Sequence, residues 1–181
     1  PFRGYLGRPL LNEFVNGAQP IDARFFEDQD GSGYLYYGGW GHCNATRVNK
    51  AMTGFDPLRD GGLFRDITPP GDTEAPCRVL RGGIYHFMGS SGNWANSTYQ
   101  VSASESSSPL GLFDAGHPIL CSQPGVIEGP GHHSCLRRGE GEWLIAYHRR
   151  VRRNPDPGAR ELCLDRLEFR GDQILPVVPT S

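Results

Sequence analysis

Three stretches of the chain repeat one pattern, a glycine-rich turn that runs into an aromatic and aliphatic strand. They are Gly31-Ser32-Gly33-Tyr34-Leu35-Tyr36-Tyr37-Gly38, Arg81-Gly82-Gly83-Ile84-Tyr85-His86-Phe87-Met88-Gly89 and Gly139-Glu140-Gly141-Glu142-Trp143-Leu144-Ile145-Ala146-Tyr147-His148. Tyr34, Tyr85 and Trp143 lie about 51 and 58 residues apart, a spacing of the order of one β-propeller blade. An acidic or histidine-bearing element precedes each strand: Ile21-Asp22, Glu74-Ala75-Pro76 and Gly129-Pro130-Gly131-His132. The innermost strands of a propeller converge on a central channel. Polar groups at equivalent blade positions therefore meet in one place.

With 181 residues the chain is long enough for one domain with a sizeable core. Long helical periodicity is absent. Its 25 Gly and 15 Pro punctuate short strands, which predicts an all-β protein. A net charge of −2 implies no broad attraction to nucleic acid or to a membrane, and no apolar run is long enough for a spanning helix. The basic run His148-Arg149-Arg150-Val151-Arg152-Arg153 reads as a solvated strand end, with a polyanion patch as the alternative. Five Cys lack CxxC spacing, which argues against a zinc site; buried free thiols are expected, with one or two disulfides as the alternative. Asn44-Ala45-Thr46 and Asn96-Ser97-Thr98 are glycosylation sequons if the protein is secreted.

Residues 1–20 read as an irregular lead-in. Strands are expected over 22–26, 34–37 and 46–55, then 78–80, 84–88 and 99–103, then 133–137, 143–147, 162–169 and 174–178. The Pro/Gly/Asp-rich stretch 56–73 reads as a long connection. Three groups of strands make roughly three blades, whereas propellers close with four or more.

Alone, Asp22 is a strand-end carboxylate, Glu74 a loop acid and His132 a turn histidine. As an ordered set they suit glycoside hydrolysis. That reaction needs a general acid to protonate the leaving oxygen and a second carboxylate opposite it. A neighbouring carboxylate raises the acid's pKa by like-charge repulsion.

At this level of detail the chain resembles glycoside hydrolase family 43. Ile21-Asp22-Ala23-Arg24-Phe25-Phe26 with Asp28-Gln29-Asp30-Gly31 and Tyr34-Leu35 resembles the second-blade signature of that family. Glu74-Ala75-Pro76, Gly83-Ile84-Tyr85 and Ser107-Ser108-Pro109-Leu110-Gly111-Leu112-Phe113 resemble the third. Gly129-Pro130-Gly131-His132-His133-Ser134 and Trp143-Leu144-Ile145-Ala146-Tyr147-His148 resemble the fourth. Glu161-Leu162-Cys163-Leu164-Asp165-Arg166 is similar to the next strand in arabinofuranosidase and xylosidase members.

The resemblance implies a five-bladed β-propeller, of which residues 1–181 supply roughly the last three to four blades. It implies Glu74 as general acid and Asp22 as the group that tunes and orients it. His132 would stand in the channel, where the family often uses a histidine to position Ca2+ or water, with His133 next in line. Trp40 and Trp94 are candidate sugar-stacking surfaces with packing as the alternative. Arg166 is a candidate substrate contact, with a strand-face ion pair as the alternative. The family's general base is an Asp in a first-blade Asp-Pro motif. Residues 1–20 hold no Asp, and Asp56-Pro57 comes too late. The base is therefore expected on an N-terminal segment outside this chain, on the same or a separate polypeptide.

The expected activity is inverting release of α-L-arabinofuranosyl or β-D-xylosyl residues from plant cell-wall saccharides. A carbohydrate-binding propeller that has lost its base is the alternative. The substrate class and the sequons point to an extracellular protein, with a cytoplasmic one acting on imported oligosaccharides as the alternative.

Overall fold

A computed structural model describes residues 6–111, 113–139, 141–156 and 158–180. Leu112 of the third-blade motif, Glu140 of the third repeat and the start of the lead-in lie outside the described residues. Among the described residues there is no helix, and the strands fall into three antiparallel sheets and a small hairpin. The first sheet joins β1 (Arg24–Glu27), β2 (Gly33–Tyr37), β3 (Asn44–Val48) and β4 (Phe55–Asp56), with β5 (Phe64–Asp66) also on β3. The second runs β6 (Glu74–Arg81), β7 (Ile84–Ser91), β8 (Gln100–Ser106) and β9 (His117–Leu120). The third is β10 (Gly131–Arg138), β11 (Glu142–Arg150) and β12 (Arg160–Arg166), and β13 (Phe169–Arg170) pairs with β14 (Gln173–Ile174). The three groups of strands expected from the repeat are thus three sheets.

Local chemistry explains the hairpins. Between β1 and β2, Gly31 adopts φ 79° and donates its N–H to Asp28 O at 3.0 Å, while Asp30 Oδ1 accepts from Ser32 N. Glycine reaches that conformation without the Cβ penalty. Two expectations fail for physical reasons. The stretch 56–73 is not all connection, because Phe64 of β5 packs edge-on against Phe55 and Tyr37. The stretch 174–178 does not extend the third sheet. Beyond Ile174 the chain crosses to the second, where Val177 N donates to Ile119 O at 2.7 Å.

Apolar faces of neighbouring sheets stack to make the core. Tyr36, Cys43, Ala45, Ile67, Phe87 and Phe113 fill the space between the first and second sheets. Met88, Val101, Ile119, Ile145, Tyr147 and Ile174 anchor the larger cluster between the second and third. Arg78 is buried in the first interface, its guanidinium 4.5 Å from the Tyr36 ring centroid and 4.7 Å from that of Phe113. All five cysteines are free thiols, and Cys43, Cys77 and Cys135 are buried. Asn44 is also buried, its amide donating to Val15 O and Tyr37 OH. That sequon cannot accept a glycan in the folded chain, whereas Asn96 is exposed on a loop. The basic run is a strand end in which Arg149 pairs with Glu161 and Arg150 with Glu128.

Candidate active site

Each sheet begins with the same backbone irregularity. In the second sheet Glu74 pairs with Ser90 and Cys77 with Met88, so one extra residue stands on β6. In the third, Gly131 pairs with His148 and Ser134 with Ala146, with the same extra residue. In the first, Ile21 O accepts from Gly38 N and Arg24 pairs with Tyr36. The three bulges align Asp22, Ala75 and His132, with φ values of 56°, 60° and 47°. None of the three is glycine, and each carries the strain of a left-handed residue. Asp22 and His132 are therefore equivalent positions. Glu74 is not; it precedes the bulge, and its counterparts are Ile21 and Gly131. This corrects the expectation that all three polar groups share one position.

A bulge frees a backbone N–H, and here neighbouring side chains accept two of them. Asp22 Oδ2 accepts from Ala75 N at 3.3 Å, and Ser90 Oγ accepts from His132 N at 2.9 Å. The first of these hydrogen bonds ties the first sheet to the second. It also turns the other oxygen of Asp22 toward His132, whose Nε2 lies 3.6 Å from Asp22 Oδ1. His132 Nδ1 is 4.0 Å from Glu74 Oε1, so the imidazole stands between both carboxylates. Burial raises the Asp22 pKa above the ordinary carboxylate range; His132 opposes that shift and the charge of Glu74 adds to it.

Tyr99, fully buried, donates its hydroxyl to Glu74 Oε1. Its ring stacks on His148 at 5.7 Å with an interplanar angle of 12°. Burial, with Arg160 and His132 adding, pushes the His148 pKa down to about 4, so that ring is neutral near pH 7. Neither Tyr99 nor Ser90 lies in a motif, and His148 closes the fourth-blade motif without being marked there as a site residue. Asp72, just before β6, is another carboxyl the sequence did not flag, and burial lifts its pKa to about 8.

Trp40 and Trp94 lie on the loops that follow β2 and β7, at the end of the sheets where Asp22, Glu74 and His132 sit. Trp40 is 72% exposed and touches only the Phe14 ring among the described aromatic side chains, at 5.9 Å; Gly41 beside it donates to Thr73 O. Trp94 is 51% exposed and lies under the Arg160 guanidinium at 5.5 Å. Arg166 is elsewhere. It pairs with Leu144 at the opposite end of the third sheet, on the order of 13 Å along the strand from the His148 position. There its Nε lies 3.6 Å from Glu142 Oε1, so the strand-face ion pair expected as its alternative is what the structure contains.

Asp22, Glu74 and His132 do not bring three donor atoms within ligand distance of one another. A Ca2+ ion beside His132 would thus complete its shell of oxygen ligands mainly with water. His133 does not face this site; it is buried on the other side of β10. What the site offers by itself is a carboxyl group fixed by a buried phenol, faced by a second carboxyl and an imidazole. That arrangement can hold and move a proton at Glu74.

Residues 7–175 match the description Glycosyl hydrolases family 43. The chain belongs to that family. As a family 43 chain it is 36% identical over 179 residues to "Beta-D-galactofuranosidase xynD" of Aspergillus niger, covering 98% of this chain and 51% of that protein. A Clostridium thermocellum structure titled as an α-L-arabinofuranosidase superposes with a TM-score of 0.76 at 26% identity, over 97% of this chain and 60% of that one. An exo-1,5-α-L-arabinanase from a bovine ruminal metagenomic library gives a TM-score of 0.77 at 20% identity, over 93% of this chain and 60% of that one. The fold is thus part of the five-bladed propeller of family 43. The chain spans about half the length of its curated relative.

Proposed function

We propose that this family 43 chain carries the acid half of an inverting glycosidase that releases terminal α-L-arabinofuranosyl or β-D-xylosyl residues. The observation behind this is the fixed position of Glu74, held by Tyr99 and faced by Asp22 and His132. In this reading Glu74 protonates the leaving oxygen. Asp22 and His132 shape the field around it, and the exposed faces of Trp40 and Trp94 offer stacking surfaces for sugar rings. The base that activates water across the sugar comes from a segment outside these 181 residues. A Ca2+ ion held through water at His132 would add positive charge to the channel. The exposed Asn96 sequon supports an extracellular location.

The sugar is the open variable. The names of the relatives include galactofuranosidase, arabinofuranosidase and arabinanase. The β-D-galactofuranosyl ring has the ring stereochemistry of α-L-arabinofuranosyl with a longer side chain, so one pocket geometry serves both. The test is Glu74→Gln in the complete enzyme, assayed on natural oligosaccharides and on aryl α-L-arabinofuranosides, β-D-xylosides and β-D-galactofuranosides. Turnover should fall by several orders of magnitude on natural oligosaccharides and far less on substrates with acidic leaving groups. Near-full activity of the variant on natural oligosaccharides overturns the assignment. Saccharide binding without turnover by the unmodified complete enzyme favours a carbohydrate-binding propeller instead.

A further inference from the structure

Behind the carboxylates, on the buried side of the innermost strands, a second cluster forms. Cys77 stands on β6, and His133 and Cys135 on β10; one sulfur or nitrogen atom from each lies within 4.8 Å of the other two. Their exposures are 1%, 7% and 4%. His133 lies against the Cys77 sulfur, and neither of its ring nitrogens makes a hydrogen bond of good geometry among the described residues. A buried imidazole without a well-formed hydrogen bond is costly, and a bound ion is one group that satisfies it. Met88, fully buried and directly opposite Cys77 in the strand register, brings its Sδ to 3.7 Å from Cys135 Sγ.

These donors suit one class of ligand. At metal–sulfur distances of about 2.3 Å and metal–nitrogen distances of about 2.0 Å, tetrahedral ligands sit about 3.5–3.8 Å apart, a short side-chain adjustment from this arrangement. Two thiolates, an imidazole and a thioether are soft donors that select d10 ions over Ca2+ or Mg2+. The thioether favours Cu+ over Zn2+. Charge points the same way. Arg24 donates to Cys135 O at 3.1 Å and Ser134 Oγ at 2.9 Å, so one guanidinium already lies near the Cys77 and Cys135 thiols. A monovalent ion brings two thiolates and the half-buried Arg24 guanidinium to neutrality, whereas a divalent ion leaves one positive charge in excess.

We propose that Cys77, His133, Cys135 and Met88 form a closed site for a thiophilic d10 cation, Cu+ in preference to Zn2+. The absence of CxxC spacing hid it, because the ligands come from two sheets. Such an ion ties β6 to β10 and anchors the residue next to His132. The inference does not depend on the glycosidase reading.

The test is titration of the reduced protein with Cu+ against bicinchoninate and with Zn2+ against a chromogenic chelator, under anaerobic conditions. The protein should withdraw one equivalent of Cu+ and melt at a higher temperature when loaded. Cys77→Ser and Cys135→Ser should abolish withdrawal, while Cys121→Ser should retain it. If the serine variants do not fold, Met88→Leu, which conserves apolar volume, should weaken Cu+ binding about tenfold or more and leave Zn2+ binding unchanged. Failure of the reduced wild type to withdraw either ion overturns the site. So does full Cu+ binding in a folded Cys77→Ser/Cys135→Ser double variant, or unchanged Cu+ affinity in Met88→Leu. Stoichiometric uptake of Zn2+ with Cu+ left on its chelator overturns the choice of ion.

Discussion

The ring of Tyr99 occupies the space that a side chain at Gly131 would need: a Cβ built there lies 2.2 Å from Tyr99 Cε1. Gly131 is the counterpart of Glu74 in the next sheet, so glycine in one sheet makes room for the phenol that holds the acid in another. In the motif Gly-Pro-Gly-His the second glycine thus has a packing explanation, and the first, Gly129, a conformational one at φ 55°.

Gly131→Ala should therefore damage the site through Tyr99. The clash involves ring atoms packed against His148, which cannot move without breaking the stack. A loss of about 1–3 kcal/mol in stability is expected, as for an overpacked core. Turnover should drop with it. Chemical denaturation and kinetics on the same preparation check both; an unchanged midpoint contradicts the packing argument.

Tyr99→Phe isolates the hydrogen bond, because phenylalanine keeps the ring stack. Removing the donor leaves Glu74 Oε1 without its Tyr99 partner, at a cost of about 1–3 kcal/mol. The expected result is a fall in kcat of about tenfold to a hundredfold in the complete enzyme with KM little changed, and a smaller fall on substrates with acidic leaving groups. A fall of equal size on every leaving group points to general misfolding of the site instead.

Stability should decline with rising pH where Asp72 titrates. Its folded pKa is raised from 3.8 to about 8 by burial. Between those values the folded chain keeps a proton that the unfolded chain releases, so the contribution is complete below the lower value and lost as pH passes the upper one. The slope is at most about 1.4 kcal/mol per pH unit. His86 and His148, both lowered by burial to about 4, act with the opposite sign between pH 4 and 6.5. The decline should thus be clearest from pH 6.5 to 8. Thermal melts of Asp72→Asn across that range should be flatter than those of the wild type.

Removing either exposed tryptophan should separate from removing Arg166. Trp94→Ala and Trp40→Ala are expected to raise KM for oligosaccharides about tenfold, in the range of a lost stacking contact. Arg166→Ala should leave KM and kcat unchanged, since its partner Glu142 is at the far end of the sheet. A raised KM in Arg166→Ala would contradict the placement of substrate at the Glu74 end.

Much of this was legible in the sequence where chemistry is local. Glycine-rich turns and alternating aromatic residues mark β2, β7 and β11, and short polar motifs mark Asp22, Glu74 and His132. The short strands β5 and β9 were not legible: three and four residues set among Pro and Gly carry too little periodicity to register. Tyr99 and Ser90 were missed because their roles exist only once neighbouring sheets are side by side. The position of Arg166 at the end of the third sheet away from His148 was not legible, because its motif gives a strand but not which end of the strand adjoins Glu74. The thiol cluster escaped for the same reason, since Cys77 and Cys135 meet only across two sheets.

The three bulges are one backbone shape used three times, with aspartate, alanine and histidine in the same seat. Because the shape is set by strand register rather than by the seated side chain, the seats are interchangeable in principle. The backbone thus sets where a group stands and the seated residue sets what that group is, while Asp22 in its seat also ties two sheets through Ala75 N.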